Sequence, residues 1–117
     1  MNTSPAAAFA ALGDQTRLGI VDLLAQRGEL SAGEIGSVFP SSASAVSQHL
    51  KVLREAGLLS VRKRAQQRIY QLDTTTIMGV EGWLADRSRQ WHGRIDAMAA
   101  YVDHMNQGAA DDRQRND

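Results

Sequence analysis

The chain has 117 residues, of which 43% are hydrophobic and 22% charged, a composition typical of one soluble globular domain. It has no cysteine, which excludes disulfides and thiolate metal sites, and no apolar run approaches the roughly 20 residues that span a bilayer. The formal net charge is zero and the N-terminal sequence lacks a basic signal-peptide region, so we expect a cytoplasmic protein without a membrane partner.

Two helices are predicted at the start of the chain. The first runs from Pro5 to Leu12, because proline suits a first helical turn and the alanines that follow are strong helix formers. Phe9 and Leu12 give it one apolar edge. The second runs from Asp14, as N-cap, to Arg27, with Gly19 in its middle. A mid-helix glycine costs about 1 kcal/mol against alanine, so we expect close packing against a neighbour there.

A third, short helix is predicted over Leu30–Phe39. Ser31, followed three residues later by Glu34, resembles a capping box. A tight turn at Pro40 then leads into the next helix. Two short helices joined by such a turn predict a helix-turn-helix.

The fourth helix, predicted over residues 41–57, is the candidate recognition helix. Serines at its start are N-cap candidates, and Gly57 is placed to close it in a left-handed turn. Its apolar stripe consists of Val46, Leu50 and Leu53, and its polar face of Ser44, Ser47, Gln48 and Lys51. Such side chains reach base edges and phosphates in a major groove. They also suit an ordinary solvated helix, and this helix alone does not separate the two interpretations.

Residues 59–72 change from a helical to an alternating pattern and predict a β-hairpin, which we call the wing. Residues 41–72 hold six cations and one acid, a local charge of +5, whereas the remainder carries −5. This uneven distribution predicts a directed nucleic-acid surface, with the wing cations on phosphates or in a minor groove. A solubilising surface hairpin is the alternative. The predicted phosphate contacts are Ser42, Lys51, Arg54, Arg62, Lys63, Arg64 and Arg68.

A last helix is predicted over residues 74–105, which completes a single domain of residues 1–105 and leaves 106–117 as a polar, frayed or disordered tail. Its apolar residues recur every seven positions, a pattern that favours pairing with another helix. The seam exceeds what one small domain can bury, so the predicted partner is a second copy of the chain. The predicted dimer interface comprises Phe9, Leu12, Ile77, Leu84, Trp91, Ile95, Met98, Val102 and Met105. Folding of this helix back over its own domain is the alternative.

The elements together predict a mainly α fold with a small β-hairpin. It is a winged helix-turn-helix of order α-α-α-α-β-β-α with a long C-terminal dimerisation helix. The run SQHLKVLREAGL at residues 47–58, the basic wing with Tyr70 behind it and the later stretch GRIDAMAAYV resemble the ArsR/SmtB family of bacterial winged-helix repressors. The paired tryptophans and the ending look most like its SdpR-type branch.

The resemblance implies a homodimer that binds a near-palindromic DNA operator and blocks transcription. It also implies that Ser44, Ser47 and Gln48 face base edges while Lys51 lies near phosphates. His49 either supports packing between helix and wing or reaches a phosphate, and we favour the structural role.

Metal-sensing members of that family use cysteines near the third helix, where this chain has serine and alanine. Others bind zinc through Asp and His on the last helix. His92, Asp96 and His104 lie there, but their spacing does not reproduce those ligand motifs, and solvated residues are the plainer interpretation. No metal or cofactor is therefore expected.

Other functional classes fit the sequence less well. No nucleophile elbow, zinc-protease motif or glycine-rich phosphate loop is present, so we do not expect an enzyme. Two alternatives stay open. One is a derepressor that responds to a small molecule or zinc at the dimer seam, and the other is a protein-interaction module without specific DNA binding. The effector, if one exists, is unknown.

Overall fold

The computed structural model describes the backbone of residues 4–115 and the side chains of residues 4–108. Its elements in chain order are α1 (Pro5–Leu12), α2 (Gln15–Arg27), β1 (Leu30–Ser31), α3 (Ala32–Gly36), α4 (Ala43–Glu55), β2 (Leu59–Arg64), β3 (Gln67–Leu72) and α5 (Thr74–Arg115). The mainly helical class with a small β-hairpin is as predicted, and one short strand, β1, is added to the predicted order. The chain divides into two compact units, residues 1–81 and residues 82–117.

The first two helices begin where their caps predict. The Ser4 hydroxyl accepts a hydrogen bond from the Ala7 amide at 3.2 Å, and the Asp14 carboxylate accepts one from the Arg17 amide at 3.0 Å. Gly19 has the close neighbour that its position predicted, since a Cβ there would lie 3.0 Å from the ring of Phe39. The missing side chain thus lets α2 approach the turn before α4.

The predicted third helix begins and ends differently in the structure. Leu30 and Ser31 form β1, and the helix itself is confined to Ala32–Gly36. The predicted capping box is present, because the Ser31 and Glu34 side chains each accept from the other residue's amide, at 3.1 and 3.0 Å. Glycines at both ends of so short a segment leave the helix dependent on tertiary packing, which explains why it stops early.

Helix α4 is two residues shorter at each end than the range predicted for it. The Ser42 hydroxyl caps it by accepting from the Ala45 amide at 3.1 Å. At its other end Gly57 adopts φ +81°, and the Leu58 amide donates to the Leu53 carbonyl at 3.0 Å. This pairing is a Schellman closure, so the predicted left-handed turn at Gly57 is confirmed.

The sheet has three antiparallel strands in the order β1-β3-β2, which puts β3 in the centre. Tyr70 on β3 lies opposite Leu30 on one side and Val61 on the other. The central strand β3 therefore connects the wing to β1, which directly precedes α3.

The core of the first unit is built from one apolar edge of each helix and the inner face of the sheet. Its fully buried large side chains are Ile20, Leu24, Ile35, Leu50, Leu53 and Leu58. Leu12, Ile77 and Val80 pack against this core with part of their surface exposed. Burial of apolar area on this scale is what holds α4 and the sheet in fixed positions.

Helix α5 is longer than predicted and continues through most of the segment expected to be a disordered polar tail. It reaches Arg115, and residues 116 and 117 lie outside the described residues. The segment is polar, as expected, but contains no proline, and alanine, glutamine and arginine in it are good helix formers. Polarity alone therefore did not predict where the helix ends.

The tip of the wing contains a backbone conformation that its sequence does not favour. Ala65 has φ +55° and is the single non-glycine residue with positive φ in the described chain. We expect Ala65→Gly to raise the free energy of unfolding by about 0.5–1 kcal/mol, because glycine removes the Cβ strain of this region. Thermal unfolding should show a Tm rise of about 2–5 °C. The control, Gln66→Gly, has no such strain to relieve, and an equal rise from it would contradict the explanation.

Candidate nucleic-acid interface

Helix α4 presents a polar face opposite a fully buried one. Val46, Leu50 and Leu53 are each at most 2% exposed, which fixes the rotation of the helix about its axis. The four residues predicted to face DNA are all exposed: Ser44, Ser47, Gln48 and Lys51. Arg54 is exposed one turn further along. The structure thus brings the predicted base-reading residues onto one surface.

Ser42, one of the serines predicted as possible N-caps, is the N-cap of α4. Its hydroxyl oxygen accepts the capping hydrogen bond of α4, so that oxygen is already engaged. The hydroxyl proton stays available to an acceptor, because a hydroxyl both donates and accepts. Ser42 is exposed at the N-terminus of α4, where the helix dipole also favours an anion.

The four wing cations divide between the two faces of the hairpin. The register pairs Lys63 with Arg68 and Arg62 with Ile69. Because side chains alternate along a strand, Lys63 and Arg68 share the face of Val61 and Tyr70, whereas Arg62 and Arg64 lie on the other face. All four cations are equivalent in the sequence pattern, and the strand register separates them into two pairs.

Arg62 is engaged by an acid that the sequence analysis did not connect with the wing. Its guanidinium donates to the Glu29 carboxylate at 2.7 Å. This hydrogen bond holds the pKa of Glu29 below its ordinary value, and the charges of Arg62 and Arg64 act in the same direction. Glu29 directly precedes β1, and because β1 itself was not predicted, no signal in the sequence placed Glu29 beside the wing.

A groove runs between α4 and β3. It is lined by Ser47, Gln48, Lys51, Arg54, Glu55, Arg68 and Tyr70. Three of these are cations and one, Glu55, is an acid. Two of the seven, Glu55 and Tyr70, are absent from the predicted site. The groove therefore joins predicted helix residues to one wing cation, Arg68, on a surface with a net positive charge.

His49 is half-buried and makes polar contacts at the start of α2. Its Nδ1 lies 3.4 Å from Nη1 of Arg17 and 3.8 Å from the Asp14 carboxylate. Arg17 also donates from Nε to the Ala11 carbonyl at 2.5 Å. Asp14 has a pKa below its ordinary value, chiefly because its carboxylate accepts the Arg17 amide. His49 therefore belongs to a polar cluster that links α4 to the α1–α2 corner.

The residues predicted for a dimer interface fall into two groups. In the first unit, Leu12 and Ile77 pack against the core, and Phe9 is 38% exposed. In the second unit, Trp91 is 61% and Met98 68% exposed in the single chain. The other predicted residues of that unit are also exposed: Leu84, Ile95, Val102 and Met105. Trp83, outside the prediction, carries the Arg87 guanidinium 5.3 Å from its ring centroid.

Among residues whose side chains are described, no three His, Asp or Glu residues come together in a way that could hold a metal ion. His92, Asp96 and His104 all lie on α5. No helix within the described range is both long and apolar enough to cross a bilayer.

Comparison with known proteins agrees with this architecture. A helix-turn-helix domain model matches residues 12–62. The HTH-type transcriptional regulator Rv2034 of Mycobacterium tuberculosis is 42% identical over 100 residues, covering 86% of this chain and 90% of that protein. The transcriptional repressor SdpR of Bacillus subtilis is 36% identical over 76 residues, covering 65% and 83% respectively. The solved structure of an ArsR-like transcriptional regulator from Rhodococcus sp. RHA1 matches with a TM-score of 0.70 at 29% identity, covering 80% of this chain and 88% of that one.

A helix-turn-helix followed by a β-hairpin and a long helix defines the class of winged-helix transcriptional regulators. The identity and coverage of the matches also establish the family: the chain belongs to the ArsR family. The resemblance to this family and to its SdpR-type branch is confirmed. Because the relatives are transcriptional regulators, the expectation that the chain is not an enzyme is confirmed as well.

The pairing of Glu29 with Arg62 has a measurable consequence. We expect Arg62→Gln to raise the pKa of Glu29 toward its ordinary value, because the hydrogen bond and the charge that favour the carboxylate are lost. The pair stabilises the fold above the ordinary carboxyl pKa, and that contribution disappears as the pH falls through the lowered pKa. An NMR titration of the Glu29 carboxyl carbon measures the change.

Lys63→Gln is the matched control for this titration, since it removes a neighbouring cation from the opposite face of the hairpin. It should leave the Glu29 titration where it is. An equal rise in both variants would contradict the division of the wing cations.

Proposed function

We propose that this chain is a sequence-specific DNA-binding repressor that acts as a homodimer on a near-palindromic operator. The observation that carries the proposal is α4, whose buried stripe fixes an exposed face of serines, glutamine and lysine. The name of a relative, the transcriptional repressor SdpR, supports the direction of regulation. With DNA as its partner, the protein is proposed to act in the cytoplasm.

In this proposal α4 lies in the major groove and reads the bases. Ser44, Ser47 and Gln48 are the base-reading residues, because they are exposed on one face and carry short groups that donate and accept. A glutamine amide pairs in a bidentate manner with adenine, which makes Gln48 the residue with the strongest base preference.

The phosphate contacts come from both elements that border the groove. Lys51 and Arg54 extend from α4, and Lys63 and Arg68 from the adjacent face of the wing. Arg62 contributes less than its sequence position suggested, because the Glu29 carboxylate already neutralises it. Arg64 lies near the hairpin tip on the same face as Arg62. Ser42, at the start of α4, donates its hydroxyl proton to a phosphate.

The second half of α5 supplies the dimer contact. Its apolar residues recur every seven positions and are exposed in one chain, with Trp91, Met98 and Val102 all more than half exposed. Monomeric proteins rarely expose a contiguous apolar surface of this length, and a two-fold dimer is the commonest way to cover it. A dimer also presents two recognition helices to two half-sites.

Binding to a fragment from upstream of the protein's own gene tests the proposal as a whole. Fluorescence anisotropy compares the affinity for that fragment with the affinity for random DNA. The salt concentration is the same in both measurements, because nonspecific phosphate contacts depend steeply on salt. We expect tighter binding to the fragment by at least a factor of about 1,000. Equal affinity for both DNAs would reject the repressor proposal.

Gln48→Ala separates base reading from phosphate binding. We expect it to lower the affinity for the preferred site by about 1–3 kcal/mol and to leave random-DNA binding unchanged, because only a base contact is lost. Lys63→Ala is the control and should weaken binding to both DNAs alike. If Lys63→Ala instead removed sequence preference and Gln48→Ala did not, the two roles would be reversed.

Val102→Glu tests the dimer contact, with Ala100→Glu as its matched control. Side chains two positions apart on a helix point about 200° away from each other. The two variants therefore place the same charge on opposite faces of α5. We expect Val102→Glu to yield monomers in sedimentation velocity, because a carboxylate in an apolar interface loses its hydration without a partner. Ala100→Glu should sediment as the wild type does. Dissociation by both variants, or by neither, would contradict the assigned face.

A further inference from the structure

Tyr70 has a hydroxyl group for which the fold offers no partner. The residue is 6% exposed and lies in the middle of the central strand, opposite Leu30 and Val61. No hydrogen bond to its hydroxyl is formed by any described residue. Yet no enclosed side-chain oxygen or nitrogen in the described chain lacks a partner. The Tyr70 oxygen therefore retains contact with solvent, although the rest of the side chain is buried.

Tyr70 lines two neighbouring clefts. The first, of about 510 Å³, lies between α3, α4 and β3, and the second is the groove between α4 and the wing. Three residues line both: Ser47, Arg68 and Tyr70. Each carries a hydrogen-bond donor, and none of the three carries a negative charge. Arg68 forms no ion pair with any described residue, unlike Arg62 on the opposite face of the wing.

This donor set matches the chemistry of a phosphate group. A guanidinium supplies charge and up to two parallel hydrogen bonds, and a phenol adds one more donor with little loss of conformational freedom because its ring is already fixed. A nearly buried tyrosine with an unpaired hydroxyl would otherwise be replaceable by phenylalanine without loss.

We propose that Arg68 and Tyr70, with Ser47 at the edge, form a phosphate subsite between α4 and the wing. The Tyr70 hydroxyl donates to a non-bridging phosphate oxygen that Arg68 holds by charge. The inference rests on the proposed DNA-binding function and adds Tyr70 to its contacts. A DNA backbone that flanks α4 in the major groove delivers a phosphodiester to this position, while free inorganic phosphate is the other source of the same chemistry.

Tyr70→Phe in the full chain removes the hydroxyl alone. We expect affinity for the preferred site and for random DNA to fall alike, by roughly tenfold, since a hydrogen bond to a charged oxygen is lost at every sequence. The slope of log affinity against log salt should stay as in the wild type, because a neutral hydroxyl releases no counterion. Arg68→Gln should reduce that slope by about one.

Two comparisons show that the effect belongs to the hydroxyl. The Tm of Tyr70→Phe should equal that of the wild type, because the lost group has no partner within the described fold. Tyr101→Phe, at an exposed tyrosine of α5, should leave DNA binding unchanged. A Tyr70→Phe variant that binds both DNAs as the wild type does, while Lys63→Ala weakens binding, overturns the subsite and leaves the repressor proposal standing.

Inorganic phosphate distinguishes the remaining outcomes. If the wild-type chain failed to bind DNA, the repressor proposal would fall, and a phosphate titration followed by the Arg68 Nε resonance would decide the subsite. A shift in the wild type that is reduced in Tyr70→Phe supports a subsite for free phosphate. No shift in either protein, together with no DNA binding, overturns both ideas.

Discussion

The buried edge of α4 is the contact on which the rest of the first unit depends. Val46, Leu50 and Leu53 are almost completely enclosed, and the helix packs against α1, α2, α3 and β2. An apolar stripe with this spacing can be buried in one rotation of the helix only, so the same three residues determine which side chains face outward. The polar face, and with it the proposed choice of DNA sequence, is thus a consequence of core packing.

The sheet applies a second constraint, because alternation along a strand sorts its side chains between two faces. On the wing this sorting turns one basic cluster into two pairs with different surroundings. Lys63 and Arg68 share the face that carries Tyr70, whereas Arg62 and Arg64 lie near Glu29. The pairing of β1 with β3 sets where Glu29 lies, and its carboxylate reduces the positive charge on that face.

Features set by local chemistry were predictable from the sequence, and features set by distant pairing were not. The bounds of α1, the Ser31–Glu34 capping box and the left-handed Gly57 each depend on residues within a turn of one another. In contrast, β1 is two residues long and pairs with a strand almost forty residues later, and Glu29 meets Arg62 across 33 positions. The polar face of α4 was predicted because its period is local, whereas the place of Tyr70 beside it requires the fold.

The net charge of zero conceals an uneven distribution of charge along the chain. Residues 41–72 carry +5, and the remainder of the chain carries −5, so attraction to DNA depends on orientation and not on total charge. In the proposed complex, such a protein would be attracted through the α4–wing surface and repelled elsewhere, which would limit unproductive contacts without raising affinity. Because few cations would carry that attraction, a neutral donor such as the proposed Tyr70 hydroxyl would contribute a larger share of the binding free energy than it would on a strongly basic protein.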